Sequence, residues 1–176
     1  ICALWLLQQA MGLCPQSSIN FNGFMGLSGV YDIYKHYFYE KSRGVHEVSP
    51  MKAANGGELR GFDKFSPSLV SLSLSKQQAA TLPPSLIVHG SNDQTVPMSS
   101  STEYSQALST IGAAQSFFVI TQGDHFAPMS ALMLEEEGFM DDLILRFYSE
   151  TKGSQNINVR NKQLNSQPGV WPSSKL

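Results

Sequence analysis

The chain has 176 residues, 41% of them hydrophobic, and a formal net charge of -2. That is enough apolar material for one modest core and too little chain for two domains. The few Lys and Arg residues are scattered, with Lys52, Arg60 and Lys64 among loop-like sequence, so no basic face is available to neutralise the phosphates of a nucleic acid. Cys2 and Cys14 are too few for a disulfide framework, and no Cys or His stands at metal-ligand spacing beside them. Neither a metal nor a cofactor is expected.

The opening segment, ICALWLLQQAMGLC, begins in mid-pattern. It lacks the basic n-region and cleavage site of a signal peptide, and its apolar run is too short to span a bilayer. Ile1, Leu4, Trp5 and Leu7 against polar Gln8 and Gln9 predict a helix over 1–13, ended by Gly12 and Pro15. Cys2 reads as a small buried residue of that helix. The helix starts without a cap, so further residues are expected before it.

Residues 24–27, between Gly23 and Gly29, fit a short buried strand. Residues 31–40 are rich in aromatics and fit a short helix. Gly44, Pro50, Gly56, Gly57 and Gly61 then punctuate an irregular stretch, and residues 31–70 as a whole read as a lid-like insert. From residue 81 the pattern turns regular. Residues 85–90 (SLIVHG) read as a buried parallel strand and 99–111 as an amphipathic helix ended by Gly112. Residues 116–121 read as the next strand and 137–148 as a last amphipathic helix. Strand, helix, strand, helix at these spacings makes a parallel sheet flanked by helices, an α/β fold. Residues 151–176 lack periodicity and have few apolar groups, Trp171 being the only aromatic, and predict a disordered tail.

Two loop positions carry chemistry. Asp93 stands three residues beyond the Gly that ends one predicted strand, and His125 follows the next strand directly. Both therefore sit at the carboxyl edge of a parallel sheet, where sites are built. An Asp there can hold the Nδ1 proton of a His, whose Nε2 can then deprotonate a hydroxyl nucleophile. An isolated Asp in Ser91-Asn92-Asp93 would read as a solvated turn residue. The adjoining Val96-Pro97 and the downstream Gly123-Asp124-His125 favour the catalytic reading. Asp124 competes for the acid role but should point away from its neighbour. His89 lies in a strand and reads as packed and hydrogen-bonded, and His36 and His46 read as surface residues. Asp93 before His125, one crossover helix apart, resembles the Ser…Asp…His order of α/β-hydrolases. No Gly-x-Ser-x-Gly elbow exists in the chain. The nearest text, Gly26-Leu27-Ser28-Gly29-Val30, has Val where the last glycine belongs, so Ser28 is not expected to be the nucleophile. The helix 1–13 fits better as the one that follows the elbow, with the serine before Ile1. The fold class expected is thus the C-terminal part of an α/β-hydrolase, over residues 1–150.

The resemblance is closer than the fold. Residues 26–32 (GLSGVYD), 36–44 (HYFYEKSRG) and 65–68 (FSPS) resemble the prenylcysteine (isoprenylcysteine) methylesterases, in the esterase branch that also holds kynurenine formamidases. The likeness runs over residues 1–150, and its family-specific part is 24–70. It implies a serine carboxylesterase acting on prenylated cysteine methyl esters, with Asp93 orienting His125 and no cofactor. It also implies that the serine elbow, the oxyanion loop and any membrane-associating segments lie before residue 1, so that this chain alone would be inactive. The location implied is the endoplasmic reticulum or Golgi membrane. Phe126-Ala127 stand where plant members tend to have Thr-Asp. Tyr31, Tyr34, Tyr37 and Phe38, with Tyr39, are candidates to contact a prenyl chain, with ordinary lid packing as the other reading. A related small-ester or formamide hydrolase, and a non-catalytic binding module, are the alternative functions.

Overall fold

The structure, a computed structural model, describes residues 1–15, 17–113, 116–134 and 138–152. Helix α1 (Cys2–Ala10) buries Ala3 and Leu7. It ends because Gly12 takes a positive φ of 72°, with Gly12 N–H donating to Gln9 O and Leu13 N–H to Gln8 O. This paired closure satisfies the last carbonyls and stops the helix short of the 1–13 expected from periodicity. Cys2 is exposed rather than buried, since it is the first helical residue and the core-facing stripe runs through Ala3 and Leu7.

Strands β1 (Phe24–Leu27), β2 (Ser85–Gly90) and β3 (Ser116–Thr121) form a sheet in the order β1-β2-β3. Both pairings are parallel, with Leu27 opposite Val88 and Val88 opposite Val119. All six residues of β2 are buried, as its unbroken apolar run predicts for a strand covered on both faces. Side chains alternate across it. Ile87 joins Ala3, Leu7, Leu74, Leu82, Tyr104 and Leu108 on one face. Leu86 and Val88 join Val119, Met140, Leu143 and Phe147 on the other. The first layer holds α1 and α6 (Ser99–Thr110), and the second holds α8 (Phe139–Lys152). Each large apolar side chain so buried contributes roughly 1.5–3 kcal/mol. Helix α8 begins two residues later than the predicted 137–148 and runs on to Lys152. Of the tail expected at 151–176, Thr151 and Lys152 belong to α8. Residues 153–176, with Trp171, lie outside the described residues.

The insert expected at 31–70 is a set of short helices, the first of them where a helix was expected at 31–40. These are α2 (Ile33–Ser42), α3 (Met51–Ala54), a 3-10 helix (Leu59–Phe65) and α4 (Pro67–Ser71), followed by α5 (Lys76–Ala79). Periodicity misses those after α2 because they are only one turn or two long. Local chemistry starts them. Asp32 caps α2 by accepting from Lys35 N–H at 2.9 Å, Pro67 opens α4, and Ser75 and Gln78 make a reciprocal box on α5. Ile33, Tyr37 and Phe62 form a third apolar cluster. Ser66 ties it together, accepting from Ile33 N–H at 2.8 Å and donating to Phe62 O at 2.9 Å.

Tyr31 belongs to the main core, not to a pocket wall. It is buried, and its ring stacks on Tyr104 at 4.3 Å between centroids. Its hydroxyl fills the space a Cβ would need at Gly26, and its ring does the same at Gly29. The two glycines of the Gly26-Leu27-Ser28-Gly29 run are therefore accounted for by packing. Burial pushes both tyrosine hydroxyls well above the usual range. Among the described residues no helix is long and apolar enough to cross a membrane.

Candidate active site

The site is built where β2 and β3 end. Beyond Gly90 the chain turns, and Ser91 N–H donates to Thr121 O and Asn92 N–H to Gly123 O, each at 2.8 Å. These bonds lace the loop after β2 to the loop after β3. Gly90 lies so close to the second loop that a Cβ would run into the carbonyl oxygens of Asp124 and Gly123. Only a residue without a side chain lets the two backbones approach this far.

Asp93 is buried in that turn, with its side chain fully covered. Oδ1 accepts from the N–H groups of Thr95 and Val96, each at 2.8 Å. Oδ2 lies 2.8 Å from Nδ1 of His125. Because a carboxylate only accepts, this contact puts the proton of a neutral His125 on Nδ1 and leaves Nε2 as the free nitrogen. The His125 side chain is 26% exposed, so the ring reaches the surface of the site. Phe126 meets the imidazole edge-on at 5.2 Å. Asp124 is spent locally, its Oδ1 accepting from Phe126 N–H at 3.0 Å just before α7 (Ala127–Met133).

Burial alone would raise the Asp93 carboxyl, but the bonds from Val96, His125 and Thr95 outweigh it and hold the group below its usual value. A carboxyl held lower in the folded than in the unfolded chain adds stability above its unfolded value of about 4. That stability is lost as pH falls through the folded value. Thermal melts of the chain are expected to drop as pH is lowered below about 4, and to drop less steeply for Asp93→Asn. Equal slopes for both proteins would show that Asp93 is not held low.

Helix α2 closes one side of the site. Tyr39 Oη donates to Gln94 O at 2.7 Å, and Arg43 donates to the same carbonyl. Lys35 pairs with Glu103 on α6 at 2.8 Å, an exposed contact worth at most about 1 kcal/mol. His36 is buried rather than on the surface, with Nε2 3.4 Å from Glu40 Oε1. Burial pushes it below the usual histidine value against the pull of Glu40, and the charges of Asp93 and His125 also act on it. Tyr34 and Phe38 stand outward on α2, 43% and 40% exposed, with rings 4.8 Å apart. Tyr37 is buried against Phe62 and His46. Of the five aromatics singled out in the sequence, Tyr34 and Phe38 are exposed, Tyr39 is half-buried, and Tyr31 and Tyr37 are buried.

Ser28 follows β1 with a positive φ of 46°. It is nonetheless buried, and its hydroxyl has no hydrogen-bond partner among the described residues, so it is not paired with His125. Among the described residues no cluster of three or more His, Cys, Asp or Glu could hold a metal ion. Sequence reasoning missed the direct approach of His89 to Asp93, at 3.1 Å. The only signal was that His89 precedes Asp93 by four residues across a tight turn. The clasp of Tyr39 and Arg43 on Gln94 had no signal at all.

No family profile matches the chain. Over 119 residues it is 32% identical to the isoprenylcysteine alpha-carbonyl methylesterase of Arabidopsis thaliana, covering 64% of this chain and 27% of that protein. A protein of Oryza sativa subsp. japonica, described as a probable enzyme of that kind, is 28% identical over 118 residues, 64% of this chain and 28% of its own length. The chain thus spans about a quarter of the length of these curated relatives. Among solved structures, Pyrococcus horikoshii acylaminoacyl peptidase superposes with a TM-score of 0.55 at 17% identity, over 82% of this chain and 21% of that one. Carboxyl esterase 2 of Tuber melanosporum gives 0.57 at 16% identity, over 85% of this chain and 49% of that one. At such identities the structures speak for the fold alone. This chain is an α/β-hydrolase-fold polypeptide, and in sequence it is isoprenylcysteine methylesterase-like.

Proposed function

We propose that Asp93 and His125 are the acid and the base of a serine carboxylesterase acting on the methyl ester of a prenylated cysteine, with the serine supplied from outside these 176 residues. The observation that carries this reading is the 2.8 Å contact between Asp93 Oδ2 and His125 Nδ1 at the carboxyl edge of a parallel sheet. In the reaction, His125 Nε2 takes the serine proton as the hydroxyl attacks the ester carbonyl. The resulting imidazolium, stabilised by Asp93, returns the proton to the departing methoxide, and methanol leaves. Water then attacks the acyl-enzyme by the same exchange, freeing the carboxylate. The sequence likeness to the methylesterases supports the choice of ester. Tyr34 and Phe38 offer an apolar surface for the prenyl chain, with the buried Tyr37 ring packed edge-on against Phe38. A prenylated substrate places the work at a membrane surface.

Fluorophosphonate labelling tests the reading. A longer polypeptide carrying a Gly-x-Ser-x-Gly elbow joined to this chain is expected to label, and to stop labelling on His125→Ala. The 176-residue chain is expected not to label. Labelling of the short chain at Ser28 would overturn the assignment of an external serine. Absence of labelling in both would leave a non-catalytic binding module. Faster turnover of N-formylkynurenine than of a prenylcysteine methyl ester would move the substrate to a formamide.

A further inference from the structure

We propose that His89, backed by Ser101, is a positioning residue that fixes the carboxylate of Asp93 for His125. The inference rests on the reading of Asp93 and His125 as an acid–base pair. His89 is the penultimate residue of β2 and is completely buried. Its Nε2 lies 2.9 Å from Val96 O and 3.1 Å from Asp93 Oδ2, and its Nδ1 lies 2.6 Å from Ser101 Oγ. A carbonyl and a carboxylate both only accept, so the Nε2 side must carry a proton. In the neutral ring, Nδ1 is then the acceptor and the Ser101 hydroxyl its donor. The tautomer of His89 is thereby set from both ends.

That proton acts on Asp93 in two ways. It binds Val96 O, and the N–H of the same residue donates to Asp93 Oδ1 at 2.8 Å, so His89 braces the turn that aims the carboxylate. Its positive end also faces Oδ2, the oxygen that meets His125 Nδ1. Asp93 is thus held between two histidines, His89 from the strand behind and His125 from the loop in front. Other charged groups nearby are the His36–Glu40 pair on α2, Arg43 on the Gln94 carbonyl, and Asp124 beside His125. A buried donor against Oδ2 lowers the basicity of the carboxylate and keeps the bridging proton on His125. The pairing differs from ordinary core packing of a strand histidine, in which the ring would need partners but not this oxygen.

The experiment is NMR on the 176-residue chain itself, which needs no catalysis. Imidazole 15N shifts are expected to show His89 with its proton on Nε2 at neutral pH. Titration of the Asp93 carboxyl carbon is expected to move to higher pH in His89→Met, by about half a pH unit or more. His89→Gln, whose side-chain amide can donate from nearly the same place, is expected to restore most of the difference. Ser101→Ala, which removes the group that fixes Nδ1, is expected to mix the two tautomers of His89 while the fold is kept. The proposal fails if His89 carries its proton on Nδ1 in the unaltered chain, a result that no folding defect can mimic. It fails equally if Asp93 titrates alike in folded His89→Met and in the parent. Either failure leaves the fluorophosphonate result untouched, so the two readings stand or fall separately.

Discussion

Gly90→Ala is expected to part the two loops that carry the candidate acid and base. The added methyl would collide with the carbonyl oxygen of Asp124 and lie 2.7 Å from that of Gly123. Both obstacles are backbone, so no rotamer change relieves them. The chain must instead lengthen the bonds from Ser91 to Thr121 and from Asn92 to Gly123. Overpacking of this kind costs about 3 kcal/mol, which for a domain of this size lowers the melting temperature by roughly 10 °C. The same shift carries His125 away from Asp93. Melting followed by circular dichroism gives the first effect. Loss of the hydrogen-bonded Nδ1 proton of His125 in NMR spectra gives the second. An unshifted melt with that proton intact would show that the loops are free to separate without cost.

Asp93→Asn is expected to abolish nearly all ester hydrolysis in a polypeptide that carries the serine, by about 10⁴-fold in kcat. The shape barely changes, but the chemistry at one atom reverses. The N–H groups of Thr95 and Val96 both point at Oδ1, so the amide oxygen of Asn must occupy that position. Its NH2 then faces His125 Nδ1 and the protonated Nε2 of His89. His125 must accept at Nδ1 and carry its proton on Nε2, where it cannot take one from a serine. Comparing kcat for the two proteins on a methyl ester measures the loss. A decrease of only a few-fold would mean that Asp93 does not set the tautomer of His125.

The three strands were legible because each is a short apolar run closed by glycine or by a turn, and the structure places them at Phe24–Leu27, Ser85–Gly90 and Ser116–Thr121. The short helices after α2 were not, because a one-turn helix has no period to read and is held by contacts distant in sequence. Ser66 on Ile33 and Ser100 on Tyr31 are examples. Tyr31 shows the limit most plainly. Aromatic composition suggests a pocket, yet only the glycines that make room for it reveal that the ring turns inward. At the site, strand ends located Asp93 and His125 on one edge. The histidine behind the acid had no comparable signal, since its approach to Asp93 depends on how the turn folds back.

The parallel order of the sheet also sets how the molecule can be assembled. Neither β1–β2 nor β2–β3 can begin as a hairpin, since each pair is joined by a crossover rather than a turn. The entropy of closing those long connections has to be spent before any rung of the ladder repays it, which makes such topologies slow to form. Asp93 and His125 lie past the last rungs, so they meet only once β2 and β3 are zipped to their ends.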